Sequence, residues 1–443
     1  MSDWLDAHPE ITTIRVAASD LNGQARGKRI AARFADKALS GGARMPLSAL
    51  HIDIQGQDIA DSPLVFESGD ADGIIRPTER GFVTMPWLAR PSALLPVWMF
   101  HDDGTPFAGD PRHALEAVLA RYRARGLAPV VATELEFYLV DDSAPDLRTP
   151  LEPQSGRRRE TTDTLSLQAL DAFDDFFTDL YDACAAMDIP ADAAISEAGR
   201  GQFEINLLHG DAMKAADDAW LFKLLVKGLA RKHGCAASFM AKPWPDQSGN
   251  GLHVHFSVLD DAGRNVFDDG GAEGSAVLRH AIAGCLGAMR ESTLIFAPHA
   301  NSYDRLVPAA HAPTGIAWGH ENRTAAIRVP GGKPAARRIE HRVAGGDINP
   351  YLMLAAVLGA ALTGIEDVTE PPAPITGNAY EQQLDQIPAN WEEAIALFAE
   401  GPRIARIFAP ELVRNLVLTK RQELRDIAPM TPEARAALYL DTV

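Results

Sequence analysis

Within the apolar run Val130 to Val140 stand two carboxylates, Glu134 and Glu136, separated only by Leu135. The valine, leucine, phenylalanine and tyrosine around them give the run the composition of a largely buried strand. A strand places residues i and i+2 on one face, about 6 to 7 Å apart. Both carboxylates therefore look one way, and Thr133, Leu135 and Phe137 look the other. A desolvated carboxylate without a partner is costly or becomes neutral, so something cationic should face the pair. Two readings stay open on this stretch alone. The polar face is half exposed and meets water or arginines, or it meets a bound cation.

A chain of 443 residues is expected to form two or more domains. From Ile11 to about Phe100 the pattern is short strands and turns: Ile14–Ala18, the turn Asp20-Leu21-Asn22-Gly23, Arg26–Ile30, Val83–Met85 and Ala93–Phe100. This predicts a small β unit over 1–105. Asp110 with Pro111 caps a helix over Pro111–Arg125 that opens a second domain over 106–443. Downstream, helices are expected over Leu165–Met187, Asp211–His233, Gly274–Arg290 and Pro350–Ile365, a hairpin over Leu252–Phe267, and a helical tail over Tyr380–Leu440.

Lys and Arg number 42 against 60 Asp and Glu, a net charge of −18. That balance excludes nucleic acid or an anionic membrane as the main partner, because basic contacts dominate affinity for either. Cys184, Cys235 and Cys285 are dispersed in apolar contexts and read as free thiols of a reducing compartment. Met1–Glu10 has no leader pattern and no apolar run is expected to span a bilayer, so the expected location is cytoplasmic.

Five further segments carry chemistry: Ser196–Glu204 with Glu197 and Glu204, Gly249–Ser257 with His253 and His255, Asn301–Arg305, Arg323–Arg328, and Arg337–Arg342 with Glu340. Singly, a strand histidine is usually a satisfied core or surface residue, and an arginine-rich strand usually an ion-paired face. Together, carboxylates and a histidine can hold hard cations, while arginines and glycine-rich loops can hold phosphates. Those are the parts phosphoryl transfer requires. No Gly-x-x-x-x-Gly-Lys-Ser/Thr is present, so a P-loop enzyme is excluded.

The ordered set Glu-x-Glu, Glu-x6-Glu, Gly-x-His-x-His, Asn-Ser-Tyr-x-Arg-Leu-Val-Pro, Asn-Arg-Thr and Arg-Arg-Ile-Glu-x-Arg resembles the glutamine synthetase family along essentially the whole chain. The resemblance implies an α+β fold, with a β-grasp N-terminal domain followed by a catalytic domain built on a curved antiparallel sheet flanked by helices. It implies ATP as co-substrate and two or more Mg2+ or Mn2+ ions, one held by Glu136, Glu197 and Glu204 and another by Glu134, His253 and Glu340. Gly249, Arg305 and Arg342 match glutamate-binding positions, Arg323 and Arg328 face the transferred phosphate, and His255, Ser257 and Arg338 match the nucleotide site. Family members assemble as two stacked hexameric rings with active sites between subunits, so a dodecamer is expected.

Two departures bear on the acceptor. Ammonia-using members carry an Asp that binds ammonium where this chain has Pro46, and a Glu that closes the site where it has His311. Losing both anionic groups removes most of the attraction for a compact ammonium ion. The chain is similar in this to γ-glutamylpolyamine and γ-glutamylmonoamide synthetases, and like them lacks the loop that carries an adenylylated Tyr. The expected reaction is ATP-dependent ligation of glutamate to a primary amine through γ-glutamyl phosphate, with His311 either the base or a residue that only shapes the amine pocket. The alternatives are ammonia-dependent glutamine synthesis and an inert structural relative.

Overall fold

The computed structural model describes residues 2–144, 146–307 and 312–443. The first sheet begins with the hairpin β1 (Thr13–Ser19) and β2 (Ala25–Ala31). Its turn is the expected one. The Asp20 carboxylate accepts from the backbone N–H of Asn22 at 2.9 Å and of Gln24 at 2.8 Å, and Gly23 sits at φ +80°, where an L side chain is strained. With β3 (Arg44–Pro46), β4 (Asp72–Pro77), β5 (Val83–Thr84) and β6 (Ser92–Phe100), the order is β2-β1-β6-β4-β3, with β5 also on β6. β1 and β6 run parallel and the other pairs are antiparallel. β3 and β4 are not apparent from sequence pattern, because Pro46, Gly73 and Pro77 weaken strand character.

The second sheet holds the site. Its strands are β7 (Leu127–Val140), β8 (Ala191–Ser196), β9 (Gln202–Asp211), β10 (Ala236–Ser238), β11 (Leu252–Asp260), β12 (Trp318–His320), β13 (Ile327–Val329) and β14 (Ile339–His341). Their order is β12-β13-β14-β11-β7-β9-β8, with β10 on the far end of β7. Among the described residues all pairs are antiparallel except β12 with β13. β7 alternates as its composition predicts. Val131, Thr133, Leu135 and Phe137 are buried while Glu134 and Glu136 are half-buried on the other face. Phe137 packs among Phe176, Phe203, Phe222 and Phe239, so a dense aromatic core fixes the strand from behind.

Helices α1 (Pro111–Arg123), α2 (Ala212–Lys232), α3 (Ala276–Phe296), α4 (Pro350–Asp367) and α5 (Pro410–Ile427) cover that core. α3 and α4 touch backbone to backbone. A Cβ at Gly284 would lie 2.1 Å from the Ala360 carbonyl, and one at Gly364 2.1 Å from that of His280. α4 corrects one expectation, since by length and apolarity it could cross a membrane, yet 83% of it is buried inside the protein, as befits a core helix. The helix expected over Leu165–Met187 is two, Leu167–Asp171 and Asp174–Ala186. The hairpin expected over Leu252–Phe267 returns with a single bridge, Leu259 to Asn265.

α5 ties the two sheets together. Its Lys420 and Glu423 are buried and paired at 2.8 Å. Glu423 also accepts from Asn22 at 2.8 Å and from the Ile54 N–H at 2.7 Å, while Gln422 reaches Asp53 at 3.0 Å. The N-terminal loops are thus held by a satisfied polar network rather than by apolar contact alone.

Candidate active site

Strand register assembles the site in rows. Glu204 of β9 stands opposite Glu136 of β7. One step along, Asn206, Glu134 and His253 line up across β9, β7 and β11. Next, His255 of β11, Glu340 of β14 and Arg328 of β13 form a third row. Opposed residues on one face of an antiparallel pair have Cβ atoms about 5 Å apart, so charges distant in sequence are forced together. Glu197 joins from the turn after β8, its N–H bonded to the Gln202 carbonyl at 2.9 Å.

Glu136, Glu197 and Glu204 can offer oxygens within 4.8 Å of one another, the first expected ligand set. The second expected set is divided. Glu134 groups with His253 and Glu204 on one side and with His255 and Glu340 on the other. The register explains this, because His253 is opposite Glu134 whereas Glu340 is opposite His255. Glu134 accepts from His253 Nδ1 at 3.0 Å and His255 Nε2 at 2.9 Å, so His255, expected at the nucleotide, also touches the carboxylate cluster.

The carboxylates fit divalent cations. Burial, then Glu136 beside it, pushes Glu197 up to about 7. Burial, then Glu134, Glu136 and Glu197, pushes Glu204 up to about 9. Burial would also raise Glu134 and Glu340, but His253 and His255 hold Glu134 low and Arg342 foremost holds Glu340 low. Two groups protonated near neutrality beside ionised ones form a site lacking positive charge. Metal binding must therefore expel protons. Raising the pH from about 6.5 to 8.5 should tighten Mg2+ binding by roughly 10- to 100-fold, with proton release visible by titration calorimetry in buffers of different ionisation enthalpy. A pH-independent affinity would contradict this.

On one side of the clusters lie the arginines. Arg328 pairs with Glu340 at 2.8 Å and Glu321 at 3.3 Å, and Arg342 also pairs with Glu340. Arg305 is buried and donates to the Val343 carbonyl at 2.8 Å. The glycine-rich loop admits it closely, since a Cβ at Gly249 would lie 2.7 Å from Arg305 Cγ and one at Gly251 2.9 Å from its Nη2. Arg323 is exposed at the rim, near enough to oppose the rise in Glu197. On the other side is a cavity of about 550 Å³, whose lining includes Glu134, His255, Ser257 and Arg338. Arg338 Nε donates to His255 Nδ1 at 3.2 Å. The positions expected to bind nucleotide are thus brought together.

Residues 108–437 match the family described as glutamine synthetase, catalytic domain. The chain belongs to the glutamine synthetase family. It is 37% identical over 427 residues to γ-glutamylputrescine synthetase of Escherichia coli K12, covering 95% of this chain and 90% of that one. It is 33% identical over 453 residues to glutamate–isopropylamine ligase of Pseudomonas sp., covering 100% and 97%. The solved apo structure of GmaS superposes with a TM-score of 0.84 at 28% identity over 97% of each chain.

Within this glutamine synthetase fold, Pro46 ends β3, opposite Asp72 of β4, while His311 lies outside the described residues. The family pattern also overlooks neighbours of its own motifs. Asn206 donates to Glu134 at 3.3 Å, and its place two residues after Glu204 on one strand is the signal that could have found it. Gln202 reaches Glu136 at 3.3 Å, and the Gly251 N–H reaches it at 2.7 Å. Tyr380, remote in sequence, is half-buried with Arg342 and Arg305 acting on its hydroxyl. No local pattern announces it.

Proposed function

We propose that this protein joins the γ-carboxylate of glutamate to a primary amine, converting ATP to ADP and phosphate through γ-glutamyl phosphate. The observation that carries the reading is the order of parts along one sheet face. A nucleotide-sized cavity, clustered carboxylates and histidines, and buried arginines follow one another with no gap between them. Bound Mg2+ or Mn2+ would neutralise phosphoryl oxygens and leave the γ-phosphate open to attack. Glu136, Glu197 and Glu204, with Glu134, His253 and Glu340, are the residues we assign to hold two such ions.

His255, Ser257 and Arg338 seat ATP in the cavity. Gly249, Arg305 and Arg342 orient glutamate by its charged groups, Arg305 from a position fixed by burial. Attack of the γ-carboxylate oxygen on the γ-phosphorus forms the acyl phosphate and breaks the bond to the β–γ bridging oxygen, which leaves on ADP. Arg328 and Arg323 face the charge that spreads over the transferred group. An amine nitrogen then attacks the acyl carbon, and phosphate departs with the C–O electron pair.

An alkylammonium is protonated at pH 7 and must first lose a proton. His311, whose unperturbed imidazole pKa is about 6.5, is the acceptor we assign. The relatives' names, putrescine and isopropylamine, support an amine in place of ammonia, as do Pro46 and His311 where anionic groups would attract ammonium. We further propose a dodecamer, with the N-terminal unit completing a neighbour's site. The test is phosphate release with ATP, Mg2+ and glutamate, which should depend on added primary amine, with a pH–rate profile that shifts in His311→Ala. Absence of amine-dependent release would remove the ligase reading, and an unshifted profile would remove His311 as the base.

A further inference from the structure

A second cavity, of about 500 Å³, lies apart from the carboxylate clusters, between the β1–β2 hairpin and helix α2. It is open because the facing side chains are small. Register pairs Ala17 with Gly27 on the hairpin, and Gly228 faces them from the helix. A Cβ at Gly228 would lie 2.2 Å from Trp87 Cδ1, so this glycine seats the indole that walls one side.

The charge of the crevice is unbalanced. Arg15 of β1 and Arg29 of β2 are directly opposed cross-strand partners, an arrangement that like charges normally make unfavourable. Arg15 Nη1 is buried with no hydrogen-bond partner, and neither guanidinium has a carboxylate partner among the described residues. Lys227 and Arg231 face them from one side of α2. Arg231 is neutralised by Asp142 at 2.6 Å, and Lys227 donates at 2.7 Å to an oxygen of Val443, the last residue of the sequence, and lies close to Asp441. Asp441 is the one carboxylate residue in the lining. Arg15 is half-buried and Arg29 exposed, and an anion seated between them would offset their repulsion.

From the paired arginines, the indole and the apolar walls at Met85 and Leu224, we infer that this crevice binds a small organic phosphate bearing a flat ring. The phosphate sits between Arg15 and Arg29, whose planar donors match its oxygens, and the ring lies against Trp87. This site is separate from the catalytic nucleotide cavity, which lies across the second sheet and is lined by Ser257 and Arg338.

The test is calorimetry on the intact protein with the catalytic cavity saturated by ADP and Mg2+, using UMP and GMP as probes, and uridine and inorganic phosphate as controls. At least one nucleotide should bind with ADP present, and more tightly than either control. Arg15→Ala and Arg29→Ala should each weaken it by roughly 10-fold or more. Arg15→Gln, which keeps the side-chain bulk, guards against a folding defect. Three results would overturn the inference: no nucleotide binding in the parent protein, binding unaltered in the variants, or displacement by ADP. A change in oligomer size in the variants without nucleotide binding would instead show that a second copy of the chain fills the crevice.

Discussion

Replacing Glu204 with Gln should abolish turnover while leaving the metal-free protein as stable as the parent or more so. Glu204 belongs both to the cluster with Glu136 and Glu197 and to the one with Glu134 and His253, so its loss weakens two cation positions at once. It is also the carboxyl raised furthest in the site, to about 9, by burial and then by Glu134, Glu136 and Glu197. In the metal-free protein at neutral pH it is held protonated, its ionised form opposed by burial and the neighbouring carboxylates and only partly favoured by Arg342, and the amide keeps that neutral shape. Activity should fall by roughly 10³-fold or more, read as phosphate release at saturating amine. Thermal melting without metal should be unchanged or higher, and the stabilisation that Mg2+ gives the parent should disappear. A melting temperature that drops along with activity would mean that Glu204 is a structural group.

Arg328→Ala should cost a similar factor by another route. Arg328 is held on β13 directly across from Glu340 and carries the ion pair to it at 2.8 Å, so its guanidinium is fixed before substrates arrive. An arginine facing a transferred phosphoryl group contributes roughly 10³- to 10⁵-fold, and the loss should fall on kcat rather than on the KM for ATP. Glu340 keeps Arg342 as a partner, which limits the folding cost. Arg328→Lys keeps one charge but cannot bridge Glu340 and a phosphate with a planar fork, so its rate should lie between the two. Equal losses in KM and kcat, or a loss under 10-fold, would count against a phosphate-facing role.

Much of this site is legible from local pattern, and the remainder depends on pairings between distant segments. The Glu134 and Glu136 face follows from strand alternation alone, as does the pairing of His253 with His255 along β11. Which carboxylate meets which histidine does not follow, because it is set by the register of β7 against β11 and of β11 against β14. That register brings His255 to within hydrogen-bond distance of Glu134 and separates Glu340 from His253 as a ligand set. Similarly, β3 and β4 are stabilised by their sheet neighbours and not by their proline- and glycine-bearing sequences. The Glu-x-Glu strand stands among three overlapping clusters, two of which share Glu134 and two of which share Glu204.

The central claim is that the acceptor is a primary amine. Its most direct measurement is product analysis by mass spectrometry after incubation with ATP, Mg2+, glutamate, and ammonium mixed with equimolar putrescine, isopropylamine and ethanolamine. The account predicts a γ-glutamyl amide of one or more of the organic amines as the dominant product, with glutamine minor. Glutamine as the main product, with the organic amines unreacted, would contradict it.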